Sequence, residues 1–158
     1  MKAVAYSIQS FEKEPLALAN HKKHEITLIS NSLTEETALY ATGKEAVIVF
    51  SEDLVSAAVI NKLADLGVKF LATRSSSTSH IDQDAAATRH IKIANVPEAL
   101  LGLRNTEELA MALAEETILN LDKWQGKACL GASCVCANSC RSMKDLFNKD
   151  VPEADHEH

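Results

Sequence analysis

At 158 residues the chain has room for one domain with a short appendage, and it is long enough to bury a real core. Apolar residues make up 46% and charged residues 24%, which argues against disorder. A formal charge of −6 with no basic stripe excludes a nucleic-acid backbone as partner, and no apolar run reaches the roughly 18 residues needed to span a bilayer.

In chain order, residues 2–8 read as a buried strand. They become polar too soon for a secretory signal, so the cytoplasm is the expected compartment. A helix is expected over 15–22, with Pro15 in its first turn, where a missing N–H is harmless. Residues 25–30 alternate as a second strand. Thr34 can cap a helix carrying Glu35 and Glu36 in its first turn, and Gly43 sits where a left-handed helix end is wanted. The run 46–50 is continuously apolar, as a central parallel strand buried on both faces should be. Asp53 is a suitable cap for the next helix, whose Val55, Ala58, Val59, Leu63 and Leu66 recur at helical spacing up to Gly67. A fourth strand follows at 68–73, a short helix at 82–89 and a fifth strand at 91–96. A long helix over 106–124 then starts from an Asn105 cap with Glu108 three residues on, and Leu109, Leu113, Ile118 and Leu121 form its apolar stripe.

This alternation predicts a doubly wound α/β domain over 1–124: a flavodoxin-like, five-stranded parallel sheet of order 2-1-3-4-5 with helices on both faces. Residues 125–158 are read as a Cys-rich tail. Ligands of such sheets sit beyond the carboxyl ends of the strands, which singles out the loops 7–10, 51–53 and 74–80.

The third loop, Arg74-Ser75-Ser76-Ser77-Thr78-Ser79-His80-Ile81-Asp82, resembles one carried by the D-2-hydroxyacid dehydrogenases: Arg, small, Ala, Gly, aromatic, Asn/Asp, polar, aliphatic, Asp. Leu33-Thr34-Glu35-Glu36-Thr37, Val47-Ile48-Val49-Phe50, the segment 62–70, Asn95-Val96-Pro97 and the helix over 107–121 are similar to the family in the same order. The similarity covers roughly residues 1–125 and implies the substrate-binding domain of such an enzyme, D-lactate dehydrogenase-like. The candidate residues for a small carboxylate or other anion are Ser51, Glu52, Arg74, Ser75, Ser76, Ser77 and Thr78. Here Ser77 stands where the family has Gly, Thr78 where it has an aromatic and Ser79 where it has Asn. A side chain at Ser77 alters the close backbone approach that Gly permits. A run of hydroxyls can hold an anion with its own donors, and a plain polar surface loop is the alternative.

Trp124-Gln125-Gly126-Lys127-Ala128 begins like the family's link into its nucleotide-binding half, but no Gly-x-Gly-x-x-Gly occurs in the chain. The expectation is therefore a domain that does not bind NAD alone. The family's catalytic Arg, Glu and His have no counterpart, so no catalytic residue is assigned. His80 and His90 read as isolated structural histidines.

All four cysteines fall within twelve residues: Cys129, Cys134, Cys136 and Cys140, spaced C-x4-C-x-C-x3-C. Clustered thiols in a cytosolic context point to zinc, an iron–sulfur cluster or cuprous copper, with reversible disulfides and inert thiols as alternatives. A short helix over 141–149, with Met143, Leu146 and Phe147 as apolar contacts, is expected to pack on the domain, and His156 and His158 read as a solvated end. Three functions compete. The first is a stand-alone anion-binding module. The second is a metal or thiol-redox protein on an α/β scaffold. The third is a subunit or remnant of an NAD-dependent D-lactate dehydrogenase-like oxidoreductase, whose uncovered apolar surface implies a homo-oligomer or a partner protein.

Overall fold

The structure, a computed structural model, describes residues 1–102 and 105–126. The elements are β1 (Lys2–Ala5), α1 (Ser10–Asn20), β2 (Glu25–Leu28), a 3-10 helix (Thr37–Ala41), β3 (Ala46–Val49), α2 (Ala57–Asp65), β4 (Phe70–Thr73), α3 (Gln83–Thr88), β5 (Lys92–Ala94), a second 3-10 helix (Glu98–Gly102) and α4 (Thr106–Gln125). The strands form one parallel sheet in the order β2-β1-β3-β4-β5, as the alternation predicts. The Cys-rich tail and the helix over 141–149 lie outside the described residues.

Strand periodicity divides the core into two unlike faces. Val4, Val47, Val49, Leu71 and Ile93 point to the side covered by α2, α3 and the first 3-10 helix, where Leu63, Ile60 and Ile91 meet them. The other face is paved with Ala3, Ala5, Ala46, Ala72 and Ala94, and against it lie α1 and α4 through Leu16, Ala114, Ile118 and Leu121. Small residues on the sheet let these helices approach closely. At the end of α4, Trp124 stacks on Phe70 of β4, with ring centroids 4.7 Å apart and planes at 24°. A clamp at the amino end of the sheet holds α4 in place. Lys23 Nζ and His24 Nε2 donate to the two oxygens of Asp122 at 2.6 and 2.7 Å.

Local departures from the sequence reading have identifiable causes. Helix α1 starts five residues early, because the Glu12 carboxylate accepts the Gln9 N–H at 2.9 Å and closes a capping arrangement. Pro15 therefore sits inside the helix, where the Phe11 carbonyl loses its i+4 donor. The helix expected after Thr34 is reduced to a 3-10 turn, because Thr34 and Thr37 exchange backbone-to-hydroxyl bonds of 2.8 and 3.1 Å. Asp53 does not cap α2. Ser56 does, and Asp53 turns into the core. Gly43 and Gly67 have φ of +79° and +96°, the left-handed ends expected of them. Among the described residues no helix is long and apolar enough to cross a membrane.

Candidate anion-binding site at the carboxyl ends of the strands

The loops after β1, β2, β3 and β4 converge at one end of the sheet, where backbone groups no longer have ladder partners. Two buried ions satisfy many of them. Asp53 is fully buried; its Oδ1 accepts from Ser7 Oγ at 2.6 Å and from the Leu33 N–H at 2.9 Å, and its Oδ2 accepts from the Phe50 N–H at 2.8 Å. Three strand-end loops are thus tied to one carboxylate. Ser7 is held at φ +56°, a left-handed conformation that its bond to Asp53 helps to fix.

Arg74 is the second ion and is 1% exposed. Its Nε and Nη2 form a two-point pair with Glu12 at 2.7 and 3.2 Å, and Nη1 and Nη2 donate to the carbonyls of Tyr6 and Ser7 at 3.1 and 3.2 Å. The Phe50 ring lies 5.1 Å from the guanidinium carbon. This guanidinium is committed to joining β4 to the β1–α1 turn, and Glu12 compensates its charge.

Beyond Arg74 the chain presents hydroxyls and amides. Ser77 is exposed, and Ser75, Ser76 and Thr78 are partly so. The loop is fixed by its carbonyls: Asn95 Nδ2 donates to Ser76 O at 2.7 Å and the Val96 N–H to Ser75 O at 3.2 Å, while Gln83 Nε2 donates to Thr78 Oγ1 at 2.7 Å. The backbone N–H groups of Ser76, Ser77 and Thr78 have no acceptor among the described residues. Three consecutive free donors beside the hydroxyls of Ser77 and Thr78 suit an anionic oxygen, while the Ser75 hydroxyl donates to Ser77 O at 2.9 Å. Ser51 and Glu52 lie exposed on the turn after β3, and neither side chain bonds another described residue.

Sequence reasoning missed Ser7, Glu12 and Asp53, although the first and last lie in loops that the strand-end rule selects. His80 reads from the sequence as isolated, yet its Nε2 lies 3.3 Å from Thr73 Oγ1. Burial lowers the His80 pKa below its ordinary 6.5, and the charge of Asp53 partly opposes that. Burial, with the charge of Asp53 and then Tyr40, raises the Tyr6 pKa far above its ordinary value; its hydroxyl donates to Thr37 O at 2.7 Å.

A family model for the catalytic domain of D-isomer specific 2-hydroxyacid dehydrogenases matches residues 3–132. The chain belongs to this family. It is 36% identical over 98 residues to a D-lactate dehydrogenase of Escherichia coli and 34% identical over 98 residues to a 2-hydroxyacid dehydrogenase homolog of Zymomonas mobilis. Each match covers 61% of this chain and 30% of the relative, so the chain spans less than a third of the curated relatives it matches. The apo-structure of the Escherichia coli D-lactate dehydrogenase superposes with a TM-score of 0.60 at 36% identity, covering 61% of this chain and 31% of that one. A pyruvate reductase of Chlamydomonas reinhardtii, 23% identical, shares the fold over 84% of this chain with a TM-score of 0.59.

The family is NAD-dependent, and three of the four α-helix N-termini among the described residues carry acidic groups, α2 being the exception. The helix after β1 has its first turn closed by Glu12, and α3 and α4 carry Asp84, Glu107 and Glu108 in theirs, which repel a pyrophosphate. Among the described residues no three metal-ligating side chains come together. Cys129, Cys134, Cys136 and Cys140 lie outside the described residues.

Proposed function

We propose that this domain binds the carboxylate of a small 2-hydroxy or 2-oxo acid on the loop 75–78, as the substrate-binding part of a 2-hydroxyacid oxidoreductase. One observation carries the reading: the unpaired N–H groups of Ser76, Ser77 and Thr78 at the carboxyl end of β4, framed by the hydroxyls of Ser77 and Thr78. Arg74 acts as the strut beneath them and Glu12 compensates its charge, so the anion is held by dipoles rather than by this cation. Ser51 and Glu52 flank the same end of the sheet from the turn after β3. The described residues supply binding, and hydride transfer needs groups beyond them.

Titration with D-lactate and pyruvate, followed by amide NMR, tests this. Shifts concentrated at Ser76, Ser77 and Thr78 at roughly millimolar ligand are expected. Unmoved amides at saturating acid would remove the reading.

The clustering of all four cysteines within twelve residues supports a second function, a metal or redox centre on Cys129, Cys134, Cys136 and Cys140. Elemental analysis of anaerobically purified protein, with a thiol count, tests it. Metal-free protein with four free thiols argues against it.

A further inference from the structure

Histidine 80 closes a chain of hydroxyls that runs in only one direction. Ser75 Oγ lies 2.9 Å from the Ser77 carbonyl, which can only accept, so the single Ser75 proton is used there. Thr73 Oγ1 lies 2.6 Å from Ser75 Oγ, and with the Ser75 proton taken, that bond exists only if Thr73 donates. The Thr73 proton is then used as well. The 3.3 Å contact between Thr73 Oγ1 and His80 Nε2 is therefore satisfied only by an N–H on Nε2. Thr73 is fully buried, so no water can take over either of its bonds. The backbone at His80 is fixed independently: its carbonyl accepts the Val55 N–H at 2.8 Å, and the Val55 carbonyl accepts the Asp82 N–H at 2.9 Å. Nδ1 has no partner among the described residues, and the ring is partly exposed.

We propose that this relay locks His80 in its Nε2–H form, so that Nδ1 offers a hydrogen-bond acceptor at the anion-binding loop, where it selects a 2-hydroxy acid over the corresponding 2-oxo acid. The inference rests on the anion-site reading given above. The physical reason lies in the ligands: a hydroxyl at the second carbon can donate to Nδ1, whereas a carbonyl there offers a second acceptor and meets the lone pair. His80 acts here on ligand specificity, and the proposal assigns it no proton transfer to the substrate. The lowered proton affinity of the ring agrees with the neutral form at neutral pH.

The test uses the whole chain in two arms. Nitrogen NMR of the imidazole, assigned by comparison with His80→Gln, should show mainly the Nε2–H form. Ser75→Ala, which frees Thr73 to turn its proton toward Nε2, should raise the Nδ1–H fraction. A dominant Nδ1–H form in the unsubstituted protein overturns the proposal. In the second arm, D-lactate should bind about three- to tenfold more tightly than pyruvate at about pH 8, the value of one neutral hydrogen bond. His80→Leu should remove that difference, weakening D-lactate as its acceptor is lost and relieving the lone-pair repulsion on pyruvate. Equal affinities in the unsubstituted protein overturn the selection by His80 and leave the anion site standing. Failure of both acids to bind overturns the anion site and the selection together.

Discussion

Two carboxylate clusters hold this domain in shape, and they do so in different ways. At the carboxyl ends of the strands, Asp53 and the Arg74–Glu12 pair bind mostly backbone: two N–H groups on Asp53, two carbonyls on Arg74. At the amino end, Asp122 binds only side chains, those of Lys23 and His24, and Lys23 is 46% exposed. The first arrangement sets the course of four loops. The second sets only how α4 lies on the sheet. A buried ion whose partners are loop backbone shapes a site, whereas a half-exposed side-chain clamp adds docking energy.

Substitutions break the comparison in graded steps. The largest effect is expected from Arg74→Met, which leaves Glu12 without its partner and two buried carbonyls without donors. Chemical denaturation should show a loss of about 3–5 kcal/mol. Asp53→Asn keeps the shape but replaces a carboxylate acceptor with an amide facing donors. A loss of roughly 2 kcal/mol is expected, with amide shifts spread over Ser7, Leu33 and Phe50. Asp122→Asn should cost under about 1 kcal/mol at neutral pH, because the Asn Oδ1 can still accept from the buried His24 and the lost ion pair is with a half-exposed lysine.

The clamp also carries a pH signature. Burial alone would raise the Asp122 pKa, but hydrogen bonds from Lys23 and His24, and then their charges, outweigh it and hold the carboxyl below its ordinary 3.8. A depressed folded-state pKa adds stability that is present above the unfolded value and is lost as pH falls through the folded one. The stability gap between the natural chain and Asp122→Asn should therefore shrink as pH falls below about pH 4. A gap that widens below about pH 4 would contradict the assignment. The smallest effect belongs to Ser7→Gly. It relaxes a left-handed residue and loses one hydrogen bond to Asp53, and these changes should cancel to within about 1 kcal/mol.

The strand order and the three loops at the carboxyl ends were legible because period-two runs and their punctuation are local signals. The role of Asp53 was not. A single Asp before an apolar periodic stretch reads as a cap, and its true partners Ser7 and Leu33 lie 46 and 20 residues away. Glu12 was hidden for the same reason, since its partner Arg74 is 62 positions on. Arg74 itself was readable as part of the loop, but its orientation inward, toward Glu12, depends on how β4 lies beside β3 and β1. His80 shows the limit most plainly. Its significance rests on the placement of two hydroxyl protons around Thr73, which no spacing rule encodes.

Trp124, stacked on Phe70, is the sole tryptophan of the chain and is 5% exposed. Its fluorescence therefore has one source, placed at the seam between α4 and β4. Any event that lifts the last turn of α4 from the sheet should shift that emission to the red as water reaches the indole. The protein thus carries its own optical gauge of whether α4 is seated, readable without a label.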